Sequence, residues 1–303
     1  MVGYAQTLTL LDARRLRAVL LAVRRDLATV GQDHETDPEL VAIAEASFDS
    51  LADVHGRLRE LEGRLRDCGD RRAVFLTVYT RMTESVRNTV AGTQFADPAW
   101  MRQYTLTFAE YYRRAFLAFE RGDLGDVPDP WRLAFGAAVD GSTLVAQDAF
   151  LGINAHINYD LALTLRDVGI DPDRAAKRAD HRAINDVLGG LVDAQQEALS
   201  ELYAPGISSV DASFGRFDEA LSLVSLTEGR EQAWRVATVL TDTDSGVVRR
   251  YARWVLRATA TGGAVFVRSP ALNPDLFAAL RRIERGLSLD EILDLLGERM
   301  DAR

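Results

Sequence analysis

Lysine is almost missing from this chain. Lys177 stands alone, and the other 35 of the 36 basic side chains are arginine. Against 45 acidic residues this leaves a net charge of −9. Such a balance argues against nucleic-acid binding, which needs a positive face to neutralise phosphates. An acidic, lysine-poor composition is expected of a salt-adapted protein, and equally of a GC-rich coding sequence. Cysteine is nearly absent too. Cys68 alone excludes an internal disulfide and any thiolate metal cluster. No apolar run approaches the roughly 18 residues that span a bilayer. The N-terminal Met1-Val-Gly-Tyr-Ala-Gln6 lacks the basic region and apolar block of a signal peptide. The expectation is a cytoplasmic protein with no stable membrane insertion.

Familiar catalytic signatures are missing as well. There is no Walker loop, no dinucleotide-binding glycine pattern, no nucleophile elbow and no His-Glu-x-x-His. An Asp-Asp-x-x-Asp run of the kind helical prenyl-diphosphate enzymes use is also absent.

What is present is helical periodicity almost throughout. Helices are expected at 8–30, from Pro38 to about Asp67, at 71–90, 98–120, Trp131 to Gly141, 142–168 and about 173–203. In the first, Leu10, Leu16, Leu20 and Val23 form the apolar side and Arg14, Arg15, Arg24 and Arg25 face outward. Asp37-Pro38 and Asp97-Pro98 read as a capping residue followed by proline in the first turn. Beyond Pro205-Gly206, further helices are expected at about 211–225, 228–240, 244–261 and 274–299, with a break near Gly286. Ala264–Arg268, between Gly262-Gly263 and Ser269-Pro270, reads as a short β-like run. The fold class is therefore all-α, a multi-helix orthogonal or bundle-like array around a buried central helix. The whole of 1–303 is expected to form a single helical domain, with a core at 1–205 and a C-terminal helical subdomain at 206–303 as the finer division.

The central helix carries the candidate chemistry. In Asn154-Ala-His156-Ile-Asn158-Tyr-Asp160, His156 and Asp160 stand one turn apart on one face, and Asn154 and Asn158 on nearly the opposite one. Polar groups inside an apolar helix need partners, because an unpaired buried group costs roughly 1–3 kcal/mol. His181 repeats the pattern with Asn185. Imidazole and oxygen ligands at i and i+4 can hold a divalent metal such as Zn, Mn or Fe, which makes His156, Asp160, His181 and Asn185 a candidate ligand set. The structural alternative is a satisfied polar core in which Asp160 fixes the imidazole tautomer. His34 reads as a solvated loop residue, and His55 has neighbours that look like surface.

Arg178 and Arg182 flank His181 as candidate clamps for a phosphate or carboxylate, or as partners in surface salt bridges. Tyr104, Phe108 and Tyr112, with Tyr111 beside them, form an aromatic stripe. Such a stripe is usually core, and otherwise lines a pocket for an apolar ligand.

Four segments carry a resemblance: Phe95-Ala-Asp97-Pro98-Ala-Trp100, the Phe108…Tyr112 helix, Pro128-Asp-Pro130-Trp131…Phe135, and Gly152-Ile-Asn154-Ala155-His156-Ile-Asn158-Tyr-Asp160-Leu. Together they resemble a family of uncharacterised helical proteins, a domain of unknown function, over about residues 75–205. More faintly, His156-Ile-Asn-Tyr-Asp160 is similar to the His-x-x-x-Asp helix of the zinc-dependent phospholipase C and single-strand nuclease superfamily. That likeness implies zinc at His156 and Asp160. The superfamily's pattern is incomplete here: Asn185 stands where a second acidic ligand belongs, and the N-terminal tryptophan is lacking.

The leading expectation is a metal-dependent hydrolase of a phosphoester or lipid-like small molecule. His156 and Asp160 would be catalytic. Arg178, Arg182, Tyr104, Phe108, Tyr111, Tyr112, Asn154 and Asn158 would bind substrate. The alternatives are a non-catalytic binding or scaffold protein with a structural His/Asn/Asp cluster, and an isoprenoid-handling enzyme with an aromatic-lined pocket.

Overall fold

The computed structural model describes residues 7, 10–23, 25–91, 95–207, 226–269 and 274–302. It is all-helical, with no strand among the described residues. In chain order the helices are α1 (Ala13–Ala22), α2 (Pro38–Glu45), α3 (Leu51–Asp67), α4 (Arg72–Ala91), α5 (Pro98–Glu120), α6 (Asp129–Asp140) and α7 (Val145–Ala155). A π-helical turn (His156–Asp160) follows, then α8 (Leu161–Val168), α9 (Arg174–Ile207), α10 (Leu226–Asp242), α11 (Gly246–Arg268), α12 (Pro274–Glu284) and α13 (Leu289–Asp301). No helix among the described residues is long and apolar enough to cross a membrane.

The expected caps are in place. Asp37 accepts from Glu39 N and Asp97 from Trp100 N, each just before a proline in the first turn. The expected central helix, 142–168, starts at Val145 rather than 142 and continues to Val168 through the π turn. Helices α4, α5, α6, α10 and α11 surround it, so α7 has every residue buried. A single apolar cluster joins side chains from Leu10 to Met300, and α13 packs back onto both α4 and α9. Helix α9 runs through Pro205-Gly206 to Ile207; the expected helix at 211–225 lies outside the described residues.

Four local expectations are corrected. Helix α1 is shorter than 8–30, because Asp12 caps it by accepting from Arg15 N and the Asp26 carboxylate binds Ala28 N in a turn beyond it. Its buried face also differs in part from the expected one: Arg15 is buried, while Leu10 stays inward and Arg14 outward as expected. Ala18 and Ala22 are buried, whereas Leu16, Leu20 and Val23 are exposed. The cause lies in α11, where a Cβ on Gly262 would fall 1.7 Å from the Ala18 carbonyl oxygen. Only small residues meeting a glycine permit that approach.

The helix expected over 38–67 is two. Ser50 caps α3 by accepting from Asp53 N, and Phe48 N donates to Glu110 of α5. The backbone between the two helices is thus satisfied without helical bonds. Finally, Ala264–Arg268 is the last part of α11, not β-like. The Gly262-Gly263 pair reads in sequence as a breaker but serves helix contact: a Cβ on Gly263 would lie 2.5 Å from Asn154 Oδ1.

Candidate functional site

The π turn places His156 and Asp160 side by side, His156 Nδ1 lying 2.9 Å from Asp160 Oδ2. Trp131, near the start of α6, donates its indole N–H to the same carboxylate oxygen at 2.7 Å. A π turn inserts one extra residue per turn and re-aims side chains, which is why such turns collect at functional sites. The imidazole is then fixed by rings. Phe108 stacks on it at 3.6 Å with an 8° interplanar angle, and Tyr79 meets its edge at 4.6 Å and 85°. Trp131, Asp160 and His156 thus form a buried relay whose imidazole orientation is set from one side.

The other side is open. His156 lines a small apolar cavity of about 70 Å³, together with Tyr79, Met101, Tyr104, Phe108, Ile153 and Arg230 among others. Its Nε2 is buried and has no hydrogen-bond partner, and Asp160 Oδ1 likewise has none. Buried polar atoms are almost always paired, so an orphaned nitrogen on a cavity wall asks for a ligand atom.

Burial sets the protonation of the pair. It holds the His156 imidazole well below its usual range and the Asp160 carboxyl well above its own, with the Trp131 N–H opposing the shift on Asp160 only in part. In the uncharged pair the carboxyl donates to Nδ1 and the ring hydrogen sits on Nε2, the nitrogen without a partner. If Nε2 passes that hydrogen to a ligand while the carboxyl proton moves to Nδ1, the imidazole stays neutral and Nε2 is left as an acceptor. Proton exchange at this atom is the chemistry the arrangement offers.

His181 stands in a different setting. Its Nε2 donates to the Arg230 carbonyl at 3.1 Å and its Nδ1 accepts from the Tyr104 hydroxyl at 2.8 Å. Both nitrogens are committed. Desolvation, then the nearby Arg230, pushes its pKa well down. Asn185 does not touch this ring; it accepts from Arg230 Nε at 2.7 Å. No group of three or more His, Cys, Asp or Glu able to hold a metal ion occurs among the described residues.

The remaining expected site residues divide by location. Tyr104 and Phe108 line the cavity. Tyr112 is buried behind them, its hydroxyl unpartnered, and Tyr111 reaches outward to Asp167 at 2.6 Å. Asn154 ties the central helix to α11, donating to the Ala260 carbonyl at 2.8 Å and accepting from Asn158 at 3.0 Å. Arg178 and Arg182 stand on an exposed groove, both paired with Glu231. His34 is not solvated; its Nε2 meets the buried Glu120 at 3.0 Å. His55 is buried as well, its Nε2 lying 3.8 Å from Glu84.

Sequence reasoning missed Trp131, Tyr79 and Arg230 as parts of the site. The signal for Arg230 was present: on α10 it falls on the same stripe as Leu226, Ala233, Trp234 and Ala237, where an apolar side chain is expected.

A family described as "Family of unknown function (DUF5995)" matches residues 51–270. The chain belongs to DUF5995. The matched stretch runs from the start of α3 past the end of α11 and contains Tyr79, Trp131, His156, Asp160, His181 and Arg230, so the whole relay and its cavity belong to the DUF5995 region. No curated protein and no solved structure matches the chain, so the likeness to the zinc-dependent phospholipase C and nuclease superfamily gains no support from them.

Proposed function

We propose that this DUF5995 protein encloses a small, mainly apolar molecule in the cavity beside His156 and presents His156 Nε2 to it as a proton-exchanging atom. The observation that carries this reading is the buried, unpartnered Nε2 of a histidine that lines the cavity, its ring oriented through Nδ1 by Asp160 and Trp131. An orienting carboxylate behind a histidine, with the far nitrogen free, is the arrangement that acid–base sites use.

A metal-dependent hydrolase would use the same nitrogen, with Asp160 behind it as an outer partner. The other polar groups on the wall favour an organic ligand. They are the hydroxyls of Tyr79, Thr83, Tyr104 and Thr105 and the Arg230 guanidinium, and a guanidinium repels a cation.

The test uses full-length protein labelled with ¹⁵N-histidine and titrated with neutral probes such as 1-propanol and propanamide. The expected result is saturable binding that moves the His156 Nε2 resonance and leaves His181 unmoved. In His156→Phe, which keeps a ring against Phe108, binding weakens. Binding without a response at His156, or no binding of any neutral probe, would overturn the reading.

A further inference from the structure

Arg230 is 3% exposed and lines the cavity that holds His156. Its Nε donates to Asn185 Oδ1 at 2.7 Å and its Nη2 to the His181 carbonyl. Among the described residues no carboxylate lies within ion-pair distance of it. The other most deeply buried arginines differ. Arg72 pairs with Asp70 and Glu120 at 2.7 and 2.6 Å, and Arg113 with Glu110 at 2.8 Å.

The side chains in contact with the Arg230 guanidinium are uncharged. Asn185 is neutral, burial keeps the His181 imidazole deprotonated, and burial holds the Tyr104 phenol above its ordinary value. A guanidinium inside a protein requires an opposing charge, or the desolvation cost goes uncompensated. No acidic side chain lines this cavity. His156, with an unpartnered Nε2, lines the same cavity.

We propose that the ligand is a short-chain carboxylic acid of about two to three carbons bound as its anion, with Arg230 as the counter-ion and the apolar body lying among Tyr79, Phe108, Ile153 and Ile157 in front of His156. This rests on the reading of the cavity as a ligand site and adds the chemical class. Size restricts the class. About 70 Å³ is roughly half of the ~150 Å³ that admits benzene, so a long acyl chain does not fit. Chemistry restricts it further. One guanidinium amid apolar walls matches a carboxylate, whereas a phosphate dianion calls for several charged donors.

The experiment is calorimetric titration of the wild-type full chain near neutral pH with propanoate, propanamide, 1-propanol, octanoate and inorganic phosphate. A charge-assisted pair is worth a roughly ten- to hundredfold gain in affinity, so propanoate is expected to exceed propanamide by that factor. Octanoate and phosphate are expected to bind far more weakly. Arg230→Met is expected to erase the preference of acid over amide, and Arg230→Lys to retain part of it. Where Arg230→Met does not fold, the acid-to-amide ratio on wild type decides alone. Equal affinities for acid and amide, or tighter binding of phosphate, would overturn the carboxylate assignment. The wider reading would survive if the amide still moved His156 Nε2. No binding of any probe would remove both.

Discussion

His156 and His181 lie in the same core, 2% and 0% exposed, and each has an oxygen-bearing side chain one helical turn onward. Their roles nevertheless diverge. The carboxylate of Asp160 reaches His156 and leaves its far nitrogen open to a cavity. The amide of Asn185 ignores His181 and serves Arg230, while Tyr104 and a backbone carbonyl close both His181 nitrogens. One imidazole is a tie between α5, α9 and α10, and the other keeps one nitrogen without a partner in the chain. Burial and an i+4 partner are common to both, so neither feature identifies a site. What distinguishes them is the partner of the second nitrogen.

The largest expected consequence falls on the closed histidine. His181→Phe keeps a ring but strands the Tyr104 hydroxyl and the Arg230 carbonyl. It should cost about 1–3 kcal/mol for each group left unpaired, read by urea denaturation. His156→Phe strands only the Asp160 side of its ring and should cost less. An equal or larger loss in His156→Phe would break the contrast.

The two histidines should also separate by pH. His181 in the folded protein has its pKa pushed well below the ordinary 6.5 by burial and by Arg230, with Arg178 and Arg182 adding to the shift. Below pH ~6.5 the unfolded chain therefore takes up a proton that the folded chain refuses. Stability falls with decreasing pH by about 1.4 kcal/mol per pH unit for that one proton. His181→Gln should remove this slope. At His156 the neighbouring Asp160 works in the opposite sense, because its carboxyl is raised on folding and holds a proton that the unfolded chain releases above the ordinary 3.8. Replacing both partners, in His156→Gln/Asp160→Asn, removes two opposing contributions and should therefore change the acid limb less, as measured by stability curves at several pH values.

The smallest effect belongs to the exposed groove. Arg182→Ala breaks a surface pair with Glu231, and such pairs contribute little. Neither the denaturation midpoint nor probe binding in the cavity should change measurably. A loss of binding would move the site out of the core and into the groove.

Much of this molecule is legible in order along the chain. Asp37, Asp97 and their prolines mark two helix starts, and the spacing of Tyr104, Phe108 and Tyr112 marks one face of α5. His156 and Asp160 stand out as polar residues in an apolar helix. These are local signals, carried by residues within a turn or two of each other. The burial of Ala18 and Ala22 of α1 in place of Leu16 and Leu20 is not local, because it depends on Gly262, far along the chain, admitting the Ala18 backbone. Nor is the division of labour among Arg178, Arg182 and Arg230. All three are arginines on helices, and only packing puts two of them on Glu231 and the third in the cavity.

The sequence by itself determined an all-α chain, its capped helices and the polar pair at the heart of its central helix. Periodicity, capping and side-chain spacing are short-range physics and need no partner. Tertiary structure alone decided that Trp131 completes the relay, that Tyr104 and Arg230 occupy His181, and that His156 keeps one nitrogen free. Each of those facts depends on which distant group fills the remaining hydrogen-bonding position of a buried side chain, and only the packed core brings such groups together.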